Sequence, residues 1–202
     1  MNSVSDFNQD INVITFFNGK TDLFFIDICS YKGNWFSNTF LLEDKYNWDG
    51  ICCEPFPVVF YKLKNHRKSK CYNYAISNRS DISLNFSRQQ LSSARNLKPR
   101  ATPYIELDNY KKDSDKQMTI VKTITLQNFL NKYEVPSLVH YLSFDTNGNE
   151  LEILNTFDFS KYTFLYITLE NNNKEPNKSE IKKLLLDKGY FYKKQDNLRH
   201  NY

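Results

Sequence analysis

The sequence lacks the glycine-rich loops with which many proteins bind nucleotide phosphates. Its 202 residues include only five glycines, and neither G-x-G-x-x-G nor G-x-x-x-x-G-K-[ST] occurs. Those motifs supply the close backbone approach that a dinucleotide or a nucleoside triphosphate requires. The sequence therefore gives little support to an ordinary dinucleotide site or to a P-loop.

Metal-binding cysteine motifs are also missing. The four cysteines show no C-x-x-C spacing, and all of them fall in strand-like segments: Cys29, Cys52, Cys53 and Cys71. Buried, reduced cysteines are the ordinary interpretation of such a pattern in an intracellular protein. We therefore predict no metal site.

Signals for export or membrane insertion are absent as well. The first residues, MNSVSDFNQDINV, contain no basic region followed by an apolar run. No apolar run approaches the roughly 18 residues of a membrane-spanning helix. We expect a cytoplasmic protein that has no membrane contact.

Charge is low and unevenly distributed. The net charge is +4, and the densest basic stretch is KLKNHRKSK, residues 62–70. No interleaved aromatic residues accompany this stretch, as they would in a nucleic-acid platform. We interpret it as a solvated helix end and expect no nucleic-acid partner.

Composition and length indicate one packed domain that spans residues 1–202. Hydrophobic residues make up 40% of the chain and aromatic residues 16%, which favours a globular protein over a disordered one. A chain of this length can bury a substantial single core.

Short apolar runs alternate with helical patterns along the chain. Strands are predicted near residues 23–30, 50–55, 70–77, 138–145 and 164–171, with a further short strand in ISLNFS and another in YFYKK. A helix is predicted over residues 33–46, and a long polar loop over residues 89–117. This alternation predicts an α/β fold with a doubly wound, mostly parallel sheet.

Acidic residues stand where the predicted strands end. In such folds ligands bind at the carboxyl ends of the strands, where Asp27, Glu54, Asp145 and Glu170 are found. Glu54 follows Gly33 by 21 positions, close to the spacing of about 20 residues at which an acid meets a nucleotide ribose. The alternative is that Glu54 is a surface acid beside Pro55.

Three motifs, in order along the chain, make the sequence recognisable. FIDICSYKG is followed by CCEP with AIS, and then by LSFDTNGNELEIL with LENN. Together they resemble the FkbM family of S-adenosylmethionine-dependent methyltransferases. The resemblance implies a class I methyltransferase (Rossmann-like) fold whose C-terminal hairpin is shortened here. It also implies O-methylation of a hydroxyl on a small molecule or a glycan, with S-adenosylmethionine as cofactor and a small-molecule or sugar acceptor as partner.

Site residues follow from the matching motif positions. The cofactor-binding residues that the resemblance implies are Asp27, Ile28, Cys29, Gly33, Glu54, Ala75 and Ile76. The candidates for the catalytic base are Asp145, Glu150 and Glu170, and Asp145 comes first because it ends a strand that faces the cofactor cleft. His140, inside the same strand, is interpreted as a core histidine.

Departures from the family pattern define the alternative function. Cys29 and Ser30 stand in place of Gly-Ala, Lys32 in place of an acid, Asn147 in place of Glu and Asn171 in place of His. These changes remove a backbone glycine, a charge and a group that titrates near neutrality. The alternative is therefore a catalytically degenerate methyltransferase fold that binds a ligand or a protein.

Overall fold

Strands and helices alternate in the computed structural model, which describes residues 2–87, 118–146, 148–169 and 175–193. The helices are α1 (Gln9–Phe16), α2 (Phe40–Tyr46), α3 (Pro57–His66), α4 (Leu126–Lys132), α5 (Glu150–Asn155) and α6 (Asn177–Asp187). The strands are β1 (Phe24–Ile28), β2 (Asp49–Cys53), β3 (Lys70–Tyr72), β4 (Ala75–Ser77), β5 (Ser83–Ser87), β6 (Met118–Thr125), β7 (Leu138–Phe144) and β8 (Thr163–Leu169).

Five strands form one parallel sheet in the order β3-β2-β1-β7-β8. The chain winds outward from β1 through β2 to β3 and then returns to β7 on the other side of β1. The strand order therefore reverses between β1 and β7, where folds of this class bind their ligands. The predicted α/β fold with a mostly parallel, Rossmann-like sheet is confirmed.

The central strand β1 is buried on both faces. Ile26 and Ile28 belong to a core on one face, and Phe25 belongs to a second core on the other. Burial on both faces explains why this strand is a continuous apolar run rather than an alternating one. Helices α4 to α6 supply Phe129, Ile153 and Ile181 to the first core, and helices α1 to α3 supply Val13, Leu42 and Leu63 to the second.

A smaller sheet of three strands has the order β4-β6-β5. Strand β4 is parallel to β6, and β5 is antiparallel to it. The short strand predicted from ISLNFS is therefore confirmed as β5. The long loop that the sequence predicts over residues 89–117 lies outside the described residues.

The predicted helix over residues 33–46 begins only at Phe40. Gly33 has a φ of 82° and Phe36 a φ of 55°, and a right-handed helix cannot accommodate positive φ angles. Residues 29–39 instead form an irregular connection, called the β1–α2 loop below. This loop follows the carboxyl end of β1 and therefore borders the candidate site.

The end of the described chain also differs from the prediction. Helix α6 is closed by Gly189, which has a φ of 88°, and the Tyr190 N–H donates to the Leu185 carbonyl oxygen at 3.0 Å. Residues 190–193 form no strand, so the strand predicted from YFYKK is wrong for these residues. None of the helices in the four described ranges is long and apolar enough to cross a membrane.

Candidate functional site

Three residues form one row across the carboxyl edge of the sheet. Ile28, the last residue of β1, pairs with the last residues of β2 and β7, Cys53 and Phe144. The residues that directly follow these three strands, Cys29, Glu54 and Asp145, are therefore neighbours. The Cys29 N–H donates to the Cys53 carbonyl oxygen at 2.7 Å, and the Asp145 N–H to the Ile28 carbonyl oxygen at 3.4 Å. This carboxyl-edge row (Cys29, Glu54 and Asp145) lies at the reversal of strand order.

Glu54 is buried in this row and is held by backbone donors. Its Oε2 accepts a hydrogen bond from the Tyr31 N–H at 3.0 Å, and its Oε1 accepts one from the Phe56 N–H at 2.9 Å. Burial raises the pKa of Glu54 to about 8, and the two N–H groups offset only part of that effect. Glu54 is therefore not a surface acid. Because a carboxylate offers about four acceptor positions, it can accept further hydrogen bonds.

Three acidic residues of the site act on the pKa of the Cys29 thiol. Burial raises the pKa of the Cys29 thiol well above its ordinary value, and the carboxylates of Glu54, Asp145 and Glu150 raise it further. Where these carboxyl groups are ionised, they make the electrostatic potential at this edge of the sheet negative. Such a potential favours a cationic ligand.

The backbone at Cys29 has the conformation for which glycine is the usual residue. Its φ is 62°, in the left-handed region that costs an L-residue about 1–2 kcal/mol. The family pattern that the sequence resembles has a glycine at this position. Cys29 therefore adopts the backbone conformation that this glycine would have, although a side chain makes it less favourable.

Glu150 binds the turn that connects β7 to α5. Its Oε1 accepts hydrogen bonds from the Thr146 N–H at 2.8 Å, the Thr146 Oγ1 at 3.0 Å and the Gly148 N–H at 3.1 Å. Burial raises the pKa of Glu150, and these donors oppose the effect. A role for Glu150 as the base stays a prediction, as does that of Glu170, which lies outside the described residues together with Asn147 and Asn171.

Asp27 is buried in β1, two residues before Cys29 of the carboxyl-edge row. The Thr39 hydroxyl donates to its Oδ2 at 2.6 Å, and the Arg67 Nη1 lies 3.8 Å from the same oxygen. Burial raises the pKa of Asp27, whereas Arg67 and Thr39 oppose that rise. These contacts join β1 to the β1–α2 loop, and the predicted contact of Asp27 with the cofactor stays a prediction.

Arg67 is the centre of a buried network that the sequence did not indicate. Its Nε donates to Glu43 Oε2. Its Nη1 lies within hydrogen-bond distance of the Gly33 carbonyl oxygen (3.2 Å), Ser37 Oγ (3.3 Å) and Thr39 Oγ1 (3.0 Å). One guanidinium group therefore fixes the β1–α2 loop at three points.

The signal that could have identified Arg67 is its spacing. Val59, Leu63 and Arg67 follow each other at intervals of four, and Val59 and Leu63 face the core. The lysines around Arg67 in residues 62–70 are exposed, as predicted.

A Cβ on Gly33 would lie 2.6 Å from Leu63 Cδ1 and 2.9 Å from Arg67 Cγ, so the loop needs a glycine here.

Three other predicted residues lie in the core. Ile28, Ala75 and Ile76 are almost fully buried, and their predicted contacts with the cofactor stay predictions. His140 has a hydrogen-bond partner within the fold, since its Nδ1 accepts from the Phe24 N–H at 3.1 Å, but the residue is half-buried and not part of the core.

The cysteines are free thiols. Cys52 and Cys53 are buried, and Cys29 and Cys71 are half-buried. Within the described part of the chain, no group of three or more His, Cys, Asp or Glu side chains could hold a metal ion.

Comparison with known protein families identifies the family of this chain. A family model for the methyltransferase FkbM domain matches residues 27–192, a range that begins at Asp27 and contains the whole carboxyl-edge row. Searches of curated proteins and of solved structures find no match. Membership implies a methyltransferase that uses a methyl donor. The chain belongs to the FkbM methyltransferase family.

Proposed function

We propose that this protein is an S-adenosylmethionine-dependent O-methyltransferase that acts on a hydroxyl of a small molecule or a glycan. The observation that carries the proposal is the row of Cys29, Glu54 and Asp145 at the carboxyl edge of the sheet, with the Glu150 carboxylate in the turn that follows Asp145. A sulfonium donor is a cation with ribose hydroxyls, and a hydroxyl acceptor needs a nearby base. A group of carboxylates can meet both requirements.

The residues present fit S-adenosylmethionine through their donor and acceptor chemistry. When ionised, Glu54 retains acceptor capacity on both oxygens, which suits the two hydroxyls of a ribose. The loop from Cys29 to Gly33 turns sharply at positive φ, which keeps backbone close to the strand ends. When bound, the cofactor supplies an electrophilic methyl group, and the protein supplies alignment and electrostatics.

Asp145 is the group that we assign to the acceptor hydroxyl. Its N–H donates to the Ile28 carbonyl oxygen of β1, which fixes its backbone beside Cys29, and the residue as a whole is half-buried. In this role Asp145 holds the hydroxyl and takes its proton. A positioned base of this kind contributes about 10²–10⁴-fold to a rate.

The proposal is tested by turnover with a labelled methyl group. The purified protein is incubated with methyl-labelled S-adenosylmethionine and a panel of glycans and hydroxylated small molecules. Transfer of label to an acceptor oxygen, lost in Asp145→Asn, is the expected result. Binding of the donor without transfer to any acceptor would instead support the alternative of a degenerate fold that acts as a binding module.

A further inference from the structure

Two cysteines face each other on neighbouring strands away from the carboxyl-edge row. Cys52 of β2 and Cys71 of β3 are direct partners in the parallel register. Both side chains lie on the face of the sheet that packs against α1, α2 and α3. Neighbouring strands are about 4.8 Å apart, within the range of about 4.4–6.8 Å between Cα atoms that a disulfide spans.

Cys71 is the more accessible and the more acidic thiol of this pair. It lies on the edge strand of the five-stranded sheet and is half-buried, whereas Cys52 is fully buried. A hydrogen bond with the Cys52 thiol lowers the pKa of Cys71; burial opposes this effect, and the Arg67 guanidinium adds to it. The carboxylates of Glu43 and Asp27 act in the opposite direction but are weaker.

The other two cysteines provide an internal contrast. Burial raises the pKa of both Cys29 and Cys53, and the Glu54 carboxylate raises both further. The Cys53 thiol donates to the Tyr74 carbonyl oxygen and the Cys71 thiol to the Ser69 carbonyl oxygen, both at 3.3 Å, so the contrast rests on burial and the neighbouring charges. A reactive cysteine combines access with thiolate character, and among the four only Cys71 does so.

We propose that Cys71 and Cys52 form an oxidation site for peroxides, in which Cys71 reacts first and Cys52 resolves the product into a disulfide. The Cys71 thiolate attacks one peroxide oxygen, the O–O bond breaks, and Cys71 becomes a sulfenic acid while hydroxide leaves. The Cys52 sulfur then attacks the Cys71 sulfur, an S–S bond forms, and the hydroxide that leaves takes the Cys52 proton as water. The two thiols lose two electrons, which the peroxide gains.

The crosslink would join β2 to β3 beside the candidate site. Cys52 precedes Glu54 by two residues, and Cys71 precedes Asn73 by two. Asn73 Nδ2 donates to the Glu54 carbonyl oxygen at 2.8 Å. The modification itself does not depend on methyltransferase activity, so it can be tested separately.

The first test uses the reduced wild-type protein. Limiting hydrogen peroxide is added, remaining thiols are alkylated, and the protein is digested without reductant for peptide mass mapping. The expected product is a linked Cys52–Cys71 peptide that has lost two hydrogen atoms, formed before Cys29 or Cys53 is modified. Oxidation of Cys29 or Cys53 first, or oxidation of Cys71 without a link to Cys52, would overturn the proposal.

Two variants and one labelling rate complete the test. Cys52→Ala should leave a sulfenic acid on Cys71 that dimedone traps, whereas the matched control Cys53→Ala, in the same strand, should still form the link. In the wild type, iodoacetamide should label Cys71 about tenfold or more faster than Cys53, a measurement that does not rely on any variant folding. Equal labelling rates would contradict the assignment of Cys71 as the reacting thiol.

Discussion

Asp27 and Glu54 are both buried acids near the ends of adjacent strands, but their partners differ. Asp27 lies near the Arg67 guanidinium and accepts a hydrogen bond from Thr39. Glu54 is held by two neutral backbone N–H groups, and its pKa is raised to about 8. A buried acid with a cation in its network has its partner within the fold. A buried acid without one remains able to bind a new donor, which is why we assign Glu54 to the ligand.

The largest effect is expected at Asp145, which extends the comparison to a third acid. Asp145→Asn keeps the shape and removes the charge, so turnover should fall by about 10²–10⁴-fold while cofactor affinity changes little. Steady-state kinetics with the labelled donor measure both quantities. If this variant turns over as fast as the wild type, the base lies elsewhere, and Glu150 and Glu170 are the next to test.

The next largest effect is expected from removing the cation beside Asp27. Arg67→Met leaves Glu43 and Asp27 buried without their cation, so the free energy of unfolding should fall by about 3–5 kcal/mol. Chemical denaturation measures the loss. Lys64→Met, at an exposed position of α3, is the matched control and should change stability by no more than about 0.5 kcal/mol. Equal stability of the two variants would show that the Arg67 network is not needed for the fold.

The pH dependence of stability tests whether the pKa of Glu54 is raised in the folded protein. Because the folded-state pKa of Glu54, about 8, lies above its unfolded value of 4.5, the folded state retains a proton that the unfolded state has released. Between these pH values the free energy of unfolding should therefore fall as pH rises, by up to about 1.4 kcal/mol per pH unit. Glu54→Gln should lack this contribution, whereas the exposed control Glu180→Gln should keep it. Parallel pH curves for wild type and Glu54→Gln would contradict the raised pKa.

The smallest effect concerns the strained loop. Cys29→Gly relieves the left-handed strain but adds about 0.5–1 kcal/mol of unfolded-state entropy, so stability should change by no more than about 1 kcal/mol. Cofactor binding should tighten, because the side chain that crowds the loop is removed. Asn47→Gly, which has a φ of 54° at the end of α2, relieves similar strain away from the site. If Asn47→Gly tightens the cofactor equally, the crowding at Cys29 is not the cause.

Much of the fold could be predicted because its signals are local. The apolar run around Ile26 and the alternation of strands and helices are enough to indicate a parallel sheet. The start of α2 could not be predicted, because the positive φ at Phe36 arises from how the loop packs rather than from periodicity. The hydrogen bond from Arg67 to the Gly33 carbonyl oxygen belongs to that packing.

The part of the candidate site that depends on strand register could be predicted from the sequence. Parallel strands end at one edge, so acids such as Glu54 and Asp145 that end separate strands come together in the fold. Arg67 was missed because its neighbours in sequence are solvated lysines, and only its spacing from Leu63 distinguishes it. The conformation of Cys29 could not be read from its residue type, because cysteine rarely adopts a positive φ.

Calorimetric titration of S-adenosylmethionine into the wild type and into Glu54→Ala tests the central claim most directly. The wild type should bind, and Glu54→Ala should bind about 10- to 100-fold more weakly, a difference of about 1.4–2.8 kcal/mol, with an unchanged circular dichroism spectrum. Asp44→Ala, at an exposed site on α2, should bind like the wild type. Equal affinities for wild type and Glu54→Ala, or no binding by the wild type, would contradict the assignment of Glu54 to the methyl donor.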